Sequence, residues 1–405
     1  MIQTLILIGS GICYLSIDCS KKKEQKPKKN VETARTISSP SPSPLPSPSP
    51  SQETTTPSPS NAIKQALSEF GTPESGISEV KISRTPEEEV GFIYIRDWLE
   101  GLVRNSFQSE LREFDKKEED EKQTFKAFDK NARLNRFKNP KSVNDEFRVI
   151  LKNRKNDYIN ATWMHNEYIL TQGPLSNTIT DFWAMICQEN VEYIVMFCSF
   201  VEKNVEQCAQ YYPLEEGKIE KYEEFEVRCV KKEKDPVEGV TWTILDVTDS
   251  TGTSSRTINH IYVSWWPDKT APEDAKLTIE LYRFLKEKSK NPIVCHCDSG
   301  IGRSACFVAF NIFLKLDQKS IYAEDSWKSH TAERLDAYIR KMRNGAIDSP
   351  ILQLFLLVCL MEYCIQEMAK DSYFEDLIGP FKVYMEEYKK YNQEMKGKAK
   401  GKSKE

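Results

Sequence analysis

The sequence predicts an α/β fold, a mixed sheet flanked by helices. Three observations lead there. Between Arg148 and Met368, short β-branched and apolar runs alternate with longer runs of helical period. Tyr193 to Phe200 is almost wholly apolar, as a central strand buried on both faces would be. Finally, Pro292-Ile293-Val294-Cys295 leads through a glycine-bearing turn into Ala305 to Leu316, an apolar run long enough for a helix.

In chain order, residues 1–17 come first. They are apolar, carry no leading positive charge, and are followed by Lys21-Lys22-Lys23. Such a segment is at the short end for a membrane anchor, and the positive flank would keep the remainder of the chain in the cytosol. A signal peptide and a plain N-terminal scrap are the other readings. Residues 18–61 are Lys-rich, then Ser/Pro-rich, and cannot bury a core, so they read as a disordered linker, an extended spacer or a substrate for proline-directed kinases. Residues 62–106 form a helical preface, with Phe92, Ile95, Trp98, Leu99 and Leu102 at spacings of three and four. The charge run Glu113 to Lys122 reads as a solvated helix face.

The main domain is placed at 107–370. Val149 to Leu151, Tyr158 to Trp163 and Tyr168 to Gln172 read as strands, the last ending at the Gly173-Pro174 turn. Thr178 to Glu189 reads as a helix around Phe182, Trp183 and Ile186, and Tyr193 to Phe200 as a strand. Tyr222 to Lys231 and Val240 to Val247 alternate and suit a hairpin, His260 to Trp266 is another strand, and Pro272 to Lys288 a helix. Asp325 to Met342 and Pro350 to Met368 close the domain as helices. A C-terminal helix is expected at 371–393, and the Lys-rich residues 394–405 read as a disordered basic tail.

Composition narrows the function. The formal net charge of −4 gives no general nucleic-acid footprint. The eleven cysteines follow no disulfide spacing and sit mostly within apolar runs, as reduced core residues of an intracellular protein would. With four histidines and no paired Cys/His spacing, no metal is expected.

The chemistry centres on His296-Cys297-Asp298-Ser299-Gly300-Ile301-Gly302-Arg303-Ser304. Between a strand and a helix, the glycines let backbone N–H groups converge, and the helix opens there with its positive dipole end. The result is an anion cradle with a thiol in its floor, and Arg303 can return to fork two oxygens of a bound oxyanion. Bare Cys-x5-Arg spacing is weakly specific in a chain with eleven cysteines, and the glycines, Ser304 and the strand–turn–helix setting sharpen it. Asp268, after Trp266 and the rigid Pro267, lies on a loop suited to closing over such a site, and desolvation there would keep it protonated as a proton donor.

Upstream stand Asn135-Arg136-Phe137, Asp157-Tyr158-Ile159-Asn160-Ala161, Thr171-Gln172-Gly173-Pro174 and Cys208-Ala209-Gln210-Tyr211. With Trp266-Pro267-Asp268 and the Cys297 turn, this ordered set resembles the catalytic domain of tyrosine-specific protein phosphatases, from about Phe107 to Met368. The resemblance implies the cysteine-phosphatase fold, with a highly twisted mixed sheet, and a hydrolase that removes phosphate from phosphotyrosine-containing proteins through a phosphocysteine. It implies that Cys297 is the nucleophile, with its pKa depressed by amides, helix dipole and Arg303. Arg303 would bind the phosphoryl oxygens, Asp268 would act as acid and then base, and Ser304 would ease departure of the sulfur. Asp298, Ser299, Gly300, Ile301 and Gly302 would cradle the phosphate, and Phe137 would flank the substrate ring. His296 with Tyr211, Glu202 on Arg303, and Trp266 with Pro267 would support these. No cofactor is implied.

Several positions depart from the family. Asp298-Ser299 stands where Ser-Ala is usual, and a carboxylate there opposes both dianion binding and the thiolate. Ala305 replaces a Gly. Asn139 replaces an acid that grips the substrate backbone. Asp348 stands where a Gln positions the hydrolytic water, and Lys269 where an aromatic is common. Two functions therefore compete: a phosphatase, and a weak or inactive phosphatase-like domain that binds phosphotyrosine proteins. A dual-specificity phosphatase would lack the Asn135-Arg136-Phe137 segment. The expected setting is a cytoplasmic monomer, with residues 1–17 as its route to a membrane.

Overall fold

Tyr158, Ile159, Ala161 and Met164 cannot be exposed without cost, and the chain buries them in a strand at one side of a large sheet. The computed structural model describes residues 100–101, 123–250, 252, 255–315, 331–368 and 375–401. The readings made for 1–17, 18–61, the charge run and nearly all of 62–106 lie outside them.

A short helix α1 (Lys126–Lys130) precedes strands β1 (Arg148–Ile150), β2 (Tyr158–Met164) and β3 (Tyr168–Thr171). Helix α2 (Ile179–Gln188) follows, then β4 (Tyr193–Met196), a small separate ribbon of β5 (Val201–Glu202) and β6 (Val205–Glu206), and β7 (Ile219–Tyr222), β8 (Phe225–Glu233), β9 (Val240–Asp249) and β10 (Ser255–Val263). Next come α3 (Lys276–Lys288), β11 (Ile293–His296), α4 (Arg303–Lys315), α5 (Thr331–Met342), α6 (Pro350–Met368) and α7 (Glu375–Gly401).

The nine-stranded sheet runs β1-β2-β3-β11-β4-β10-β9-β8-β7. Its centre is parallel, with β11 between β3 and β4 and β10 beyond β4, and its two wings are antiparallel. Composition explains the division. β3, β4 and β11 are buried at every position and are apolar apart from Thr171 and His296 at their ends, whereas β7 and much of β8 alternate because one face meets solvent. Register places His296 beside both Thr171 and Met196, so the Cys297 turn leaves the sheet between two parallel neighbours, at its carboxyl edge. Helix α4 packs on β11 and β3, and α6 packs on α4. From Ile351 to Met361, α6 is buried on every face, which is why it shows no polar stripe.

Boundaries differ from the sequence reading in a few places. β4 ends at Met196, where the chain bends and Phe197 N–H donates to His296 C=O at 2.8 Å. β10 starts earlier and ends at Val263, leaving Ser264 to Trp266 to the loop. α3 begins at Lys276, after a turn in which the Lys276 N–H donates to the Asp274 carboxylate at 3.1 Å. The largest correction is at the C-terminus. α7 continues through Gly401, past residue 393 where a disordered basic tail was expected, because Leu377, Phe381, Tyr384, Met385 and Tyr388 form a buried stripe that carries the Lys-rich end along as helix.

Candidate active site

β11 delivers His296, fully buried, and the chain turns at Cys297. Gly300 takes φ +72°, and a Cβ there would lie 2.2 Å from Thr171 C=O, so only glycine fits this corner. The turn folds the amides inward: Gly300 N–H donates to Cys297 Sγ at 3.2 Å, and α4 opens at Arg303. Ser304 Oγ donates to the same sulfur at 3.4 Å. The outside of the turn is held by Arg343, whose Nε donates to Gly300 C=O at 2.7 Å and Nη2 to Ser299 C=O at 3.0 Å and Asn160 Oδ1 at 2.8 Å. By engaging the carbonyls from behind, Arg343 leaves the N–H side facing the sulfur. Sequence reasoning passed over it as a landmark. A fully buried Arg is recognisable only once its surroundings are known, and burial alone brings its pKa down to about 10.

Arg303 is almost fully buried. Nη1 donates to Glu202 Oε1 at 2.8 Å and to Trp266 C=O at 3.3 Å. Nη2 lies 3.4 Å from Asp268 Oδ1 and 3.5 Å from Asp298 Oδ1, yet among the described residues it has no aligned hydrogen-bond partner. Glu202 also receives the Asp268 N–H at 3.2 Å and the Ser199 N–H at 3.0 Å, so one carboxylate ties the guanidinium to the acid loop. The loop closes on itself: Trp266 Nε1 donates to Thr270 C=O at 2.9 Å, and Thr270 Oγ1 to Pro267 C=O at 2.8 Å. Burial raises the Asp268 carboxyl above its ordinary value, against the pull of Arg303, with the neighbouring carboxylates of Asp298 and Glu202 adding to the rise.

The Cys297 thiol departs from expectation. It is fully buried, and burial first, then the Asp298 carboxylate, push its pKa up, while Arg303 and the Ser304 hydroxyl pull it down. The upward effects are larger, so the depressed thiol that the cradle promised is corrected to a raised one. The physical reason is first the burial of the sulfur in a dry pocket and second the carboxylate that adjoins it.

His296, Tyr211 and a third group missed in the sequence, His260, are wired together. His296 Nδ1 lies 3.1 Å from Cys297 C=O and must donate to it, so its Nε2 accepts from Tyr211 Oη at 2.8 Å. With its one proton used, Tyr211 Oη accepts from His260 Nε2 at 2.7 Å. Both rings are neutral: burial brings His296 down to about 4 and His260 well below its usual value. The chain of bonds sets the direction of the carbonyl that follows His296.

Asp348, on the turn between α5 and α6, lies against the cradle at Gly302. A Cβ on Gly302 would lie 3.2 Å from Asp348 Oδ1. Its side chain is exposed, and desolvation on the side facing the cradle, then Asp298, lifts its pKa to about 6. It is held there by Ile347, whose N–H donates to Ile301 C=O at 2.7 Å and whose φ of +55° is a strained value for a β-branched residue. Phe137 is 44% exposed, on a loop pinned by Gln172, which accepts from Arg136 N–H at 2.8 Å and donates to Leu134 C=O at 2.9 Å. Asn139 is exposed. Among the described residues no cluster suited to a metal ion occurs, and their cysteines are free thiols.

A family model described as protein-tyrosine phosphatase matches residues 131–362. Human tyrosine-protein phosphatase non-receptor type 2 is 32% identical over 285 residues, which is 64% of this chain and 66% of that protein. Human tyrosine-protein phosphatase non-receptor type 7 is 38% identical over 167 residues, 38% of this chain and 44% of that protein. The chain thus spans less than two thirds of the length of either relative. A solved structure of PTPN18, described as the basis of its fingerprint on distinct HER2 tyrosine phosphorylation sites, superposes with a TM-score of 0.50 at 24% identity, covering 58% of this chain and 84% of that one, a likeness of fold.

Proposed function

The chain belongs to the protein-tyrosine phosphatase family, and from that premise we propose that it hydrolyses phosphotyrosine on proteins through a phosphocysteine intermediate, at a rate held down by its own carboxylates. The observation that carries the reading is Arg303 Nη2: a buried guanidinium nitrogen beside the thiol, with its sister nitrogen fixed by Glu202 and no aligned partner of its own among the described residues. A phosphoryl oxygen suits that position, and a planar fork suits the equatorial oxygens of a transferring phosphoryl group.

In the first step Cys297 Sγ, as thiolate, attacks phosphorus, the P–O bond to the tyrosine breaks, and Asp268 passes its proton to the phenolic oxygen. The raised Asp268 carboxyl supplies that proton. In the second step water attacks phosphorus, Asp268 takes its proton, and the S–P bond breaks with Ser304 Oγ donating to the departing sulfur. Asp298, Ser299, Gly300, Ile301 and Gly302 would bind phosphate through their amides, and Phe137 would flank the tyrosine ring. Asn139 would touch substrate backbone and Asp348 the hydrolytic water.

A second reading has its own observation. Asp298 Oδ1 lies 3.5 Å from Arg303 Nη2, where it competes with an incoming oxyanion, and it helps keep the thiol protonated. Those two effects favour a domain that binds phosphotyrosine proteins and turns them over slowly. The test compares turnover of p-nitrophenyl phosphate between pH 5 and 7 by the whole chain and by Cys297→Ser. A wild-type rate well above the variant supports the phosphatase, and equal rates support the binder.

The proposed catalytic domain is 107–370. Free thiols support a reducing, cytoplasmic setting and a monomer is the proposed state, with residues 1–17 as the segment that would bring it to a membrane. Among the described residues no helix is long and apolar enough to cross one.

A further inference from the structure

Among the described residues, three groups reach the Cys297 sulfur, and two of them take up its lone pairs. Gly300 N–H donates to Sγ at 3.2 Å and Ser304 Oγ at 3.4 Å. The thiol proton is left to point elsewhere. The third group is Ser299 Oγ, 3.9 Å from the sulfur and within reach of that proton. Ser299 Oγ in turn donates to Asp298 Oδ1 at 3.3 Å and accepts from Ile301 N–H at 3.5 Å. One direction of donation satisfies every one of these atoms: Cys297 S–H to Ser299, and Ser299 O–H to Asp298.

That direction has a consequence for the sulfur. A hydrogen bond made by the protonated form of an acid keeps the proton in place. The Asp298 carboxylate polarises the Ser299 hydroxyl and makes its oxygen a better acceptor, more so in a dry place. If the thiol ionised, Ser299 would turn lone pairs toward a negative sulfur or else release Asp298. Either course costs energy. Asp298 thus acts on the sulfur twice, through space by its charge and through Ser299 by a chain of bonds.

We propose that Ser299 is a positioning residue that latches the proton on the resting Cys297 thiol, with Asp298 as the anchor of the latch. The proposal rests on the reading of Cys297 as nucleophile. It gives the adjoining Asp298 and Ser299 one joint function: the unliganded protein presents a guarded thiol, which soft electrophiles meet in its unreactive form. The other charged or titratable groups facing the sulfur among the described residues are Arg303, Arg343 and Cys198, and the test leaves all three in place.

The experiment compares the full chain as wild type, Ser299→Ala, Ser299→Thr, Asp298→Ala and the double variant of Asp298→Ala with Ser299→Ala. Ser299→Ala deletes one oxygen at a half-buried place, so it preserves the fold. Alkylation of Cys297 by iodoacetamide is followed against pH by mass spectrometry of the peptide that carries it. The plateau rate reports access to the sulfur, and the midpoint reports its proton. Ser299→Ala is expected to lower the midpoint by about one pH unit, or tenfold in the acid constant. Ser299→Thr keeps the hydroxyl and is expected to stay near wild type. With Asp298 already removed, Ser299→Ala is expected to lower the midpoint no further. An unchanged or raised midpoint in Ser299→Ala overturns the latch. So does an equal shift in the two backgrounds, or a Thr variant that behaves as the Ala variant. A midpoint in Asp298→Ala equal to wild type overturns it without any change at residue 299. A wild type that hydrolyses no phosphotyrosine sinks the phosphatase reading alone, since alkylation needs no turnover.

Discussion

Asp298 sets the character of this site more than any other residue. Its carboxylate adjoins the sulfur in sequence and faces Arg303 across 3.5 Å, so it raises the thiol and occupies the guanidinium edge at once. Asp298→Ser is expected to speed iodoacetamide alkylation of Cys297 at pH 7 several-fold and to raise kcat, as followed by mass spectrometry and steady-state rates. Unchanged alkylation would show that burial alone holds the thiol up. Asp348 gives a stability test. Its folded pKa of about 6 lies above the value of an unfolded Asp, so its contribution favours the fold below about pH 4 and is lost as pH rises through 6. Asp348→Asn should remove that pH dependence, gaining on wild type at pH 8 relative to pH 4 in urea melts, by an amount that solvent screening of the exposed carboxylate keeps small. Both aspartates were visible in the sequence as departures from the family. Their effect was not, because the direction of a carboxylate and its burial depend on residues far along the chain.

The strand–turn–helix from β11 to α4 was legible because its parts are local: an apolar run, glycines, and a second apolar run. Its support was not. Arg343 braces the turn from the end of α5 through Gly300 C=O, Ser299 C=O, Asn160 Oδ1 and Thr162 Oγ1, partners that come from two separate segments, the turn itself and β2. Arg343→Met should cost about 3 kcal/mol or more, read as a lower urea midpoint, since those acceptors lose their donor in a dry place. Gly300→Ala meets a harder barrier, with a Cβ 2.2 Å from Thr171 C=O at a φ of +72°. It is expected to abolish vanadate binding by calorimetry even where the sheet survives in circular dichroism. The β8–β9 hairpin was readable from alternation, while β4 was read too long, because Phe197, Cys198 and Phe200 continue the apolar run after the strand has ended and pack on the core as loop.

At the scale of the whole molecule, α7 is part of the body of the protein. Its apolar stripe of Leu377, Phe381, Tyr384, Met385 and Tyr388 is buried, and each such side chain is worth roughly 1.5–3 kcal/mol. Ending the chain at residue 368 should therefore lower the melting temperature by more than about 10 °C. A truncated chain as stable as the whole would show that the helix is an appendage.

By itself the sequence settled the class of fold, the place of the thiol, the arginine and the acid loop, and the membership of a family, since each is carried by residues close together in the chain. Only the tertiary structure decided that the thiol is raised, that three carboxylates share one guanidinium, and that the last helix reaches back to the loop after Asp268. Those outcomes depend on burial and on distances between side chains remote in sequence, and neither exists until the chain has folded.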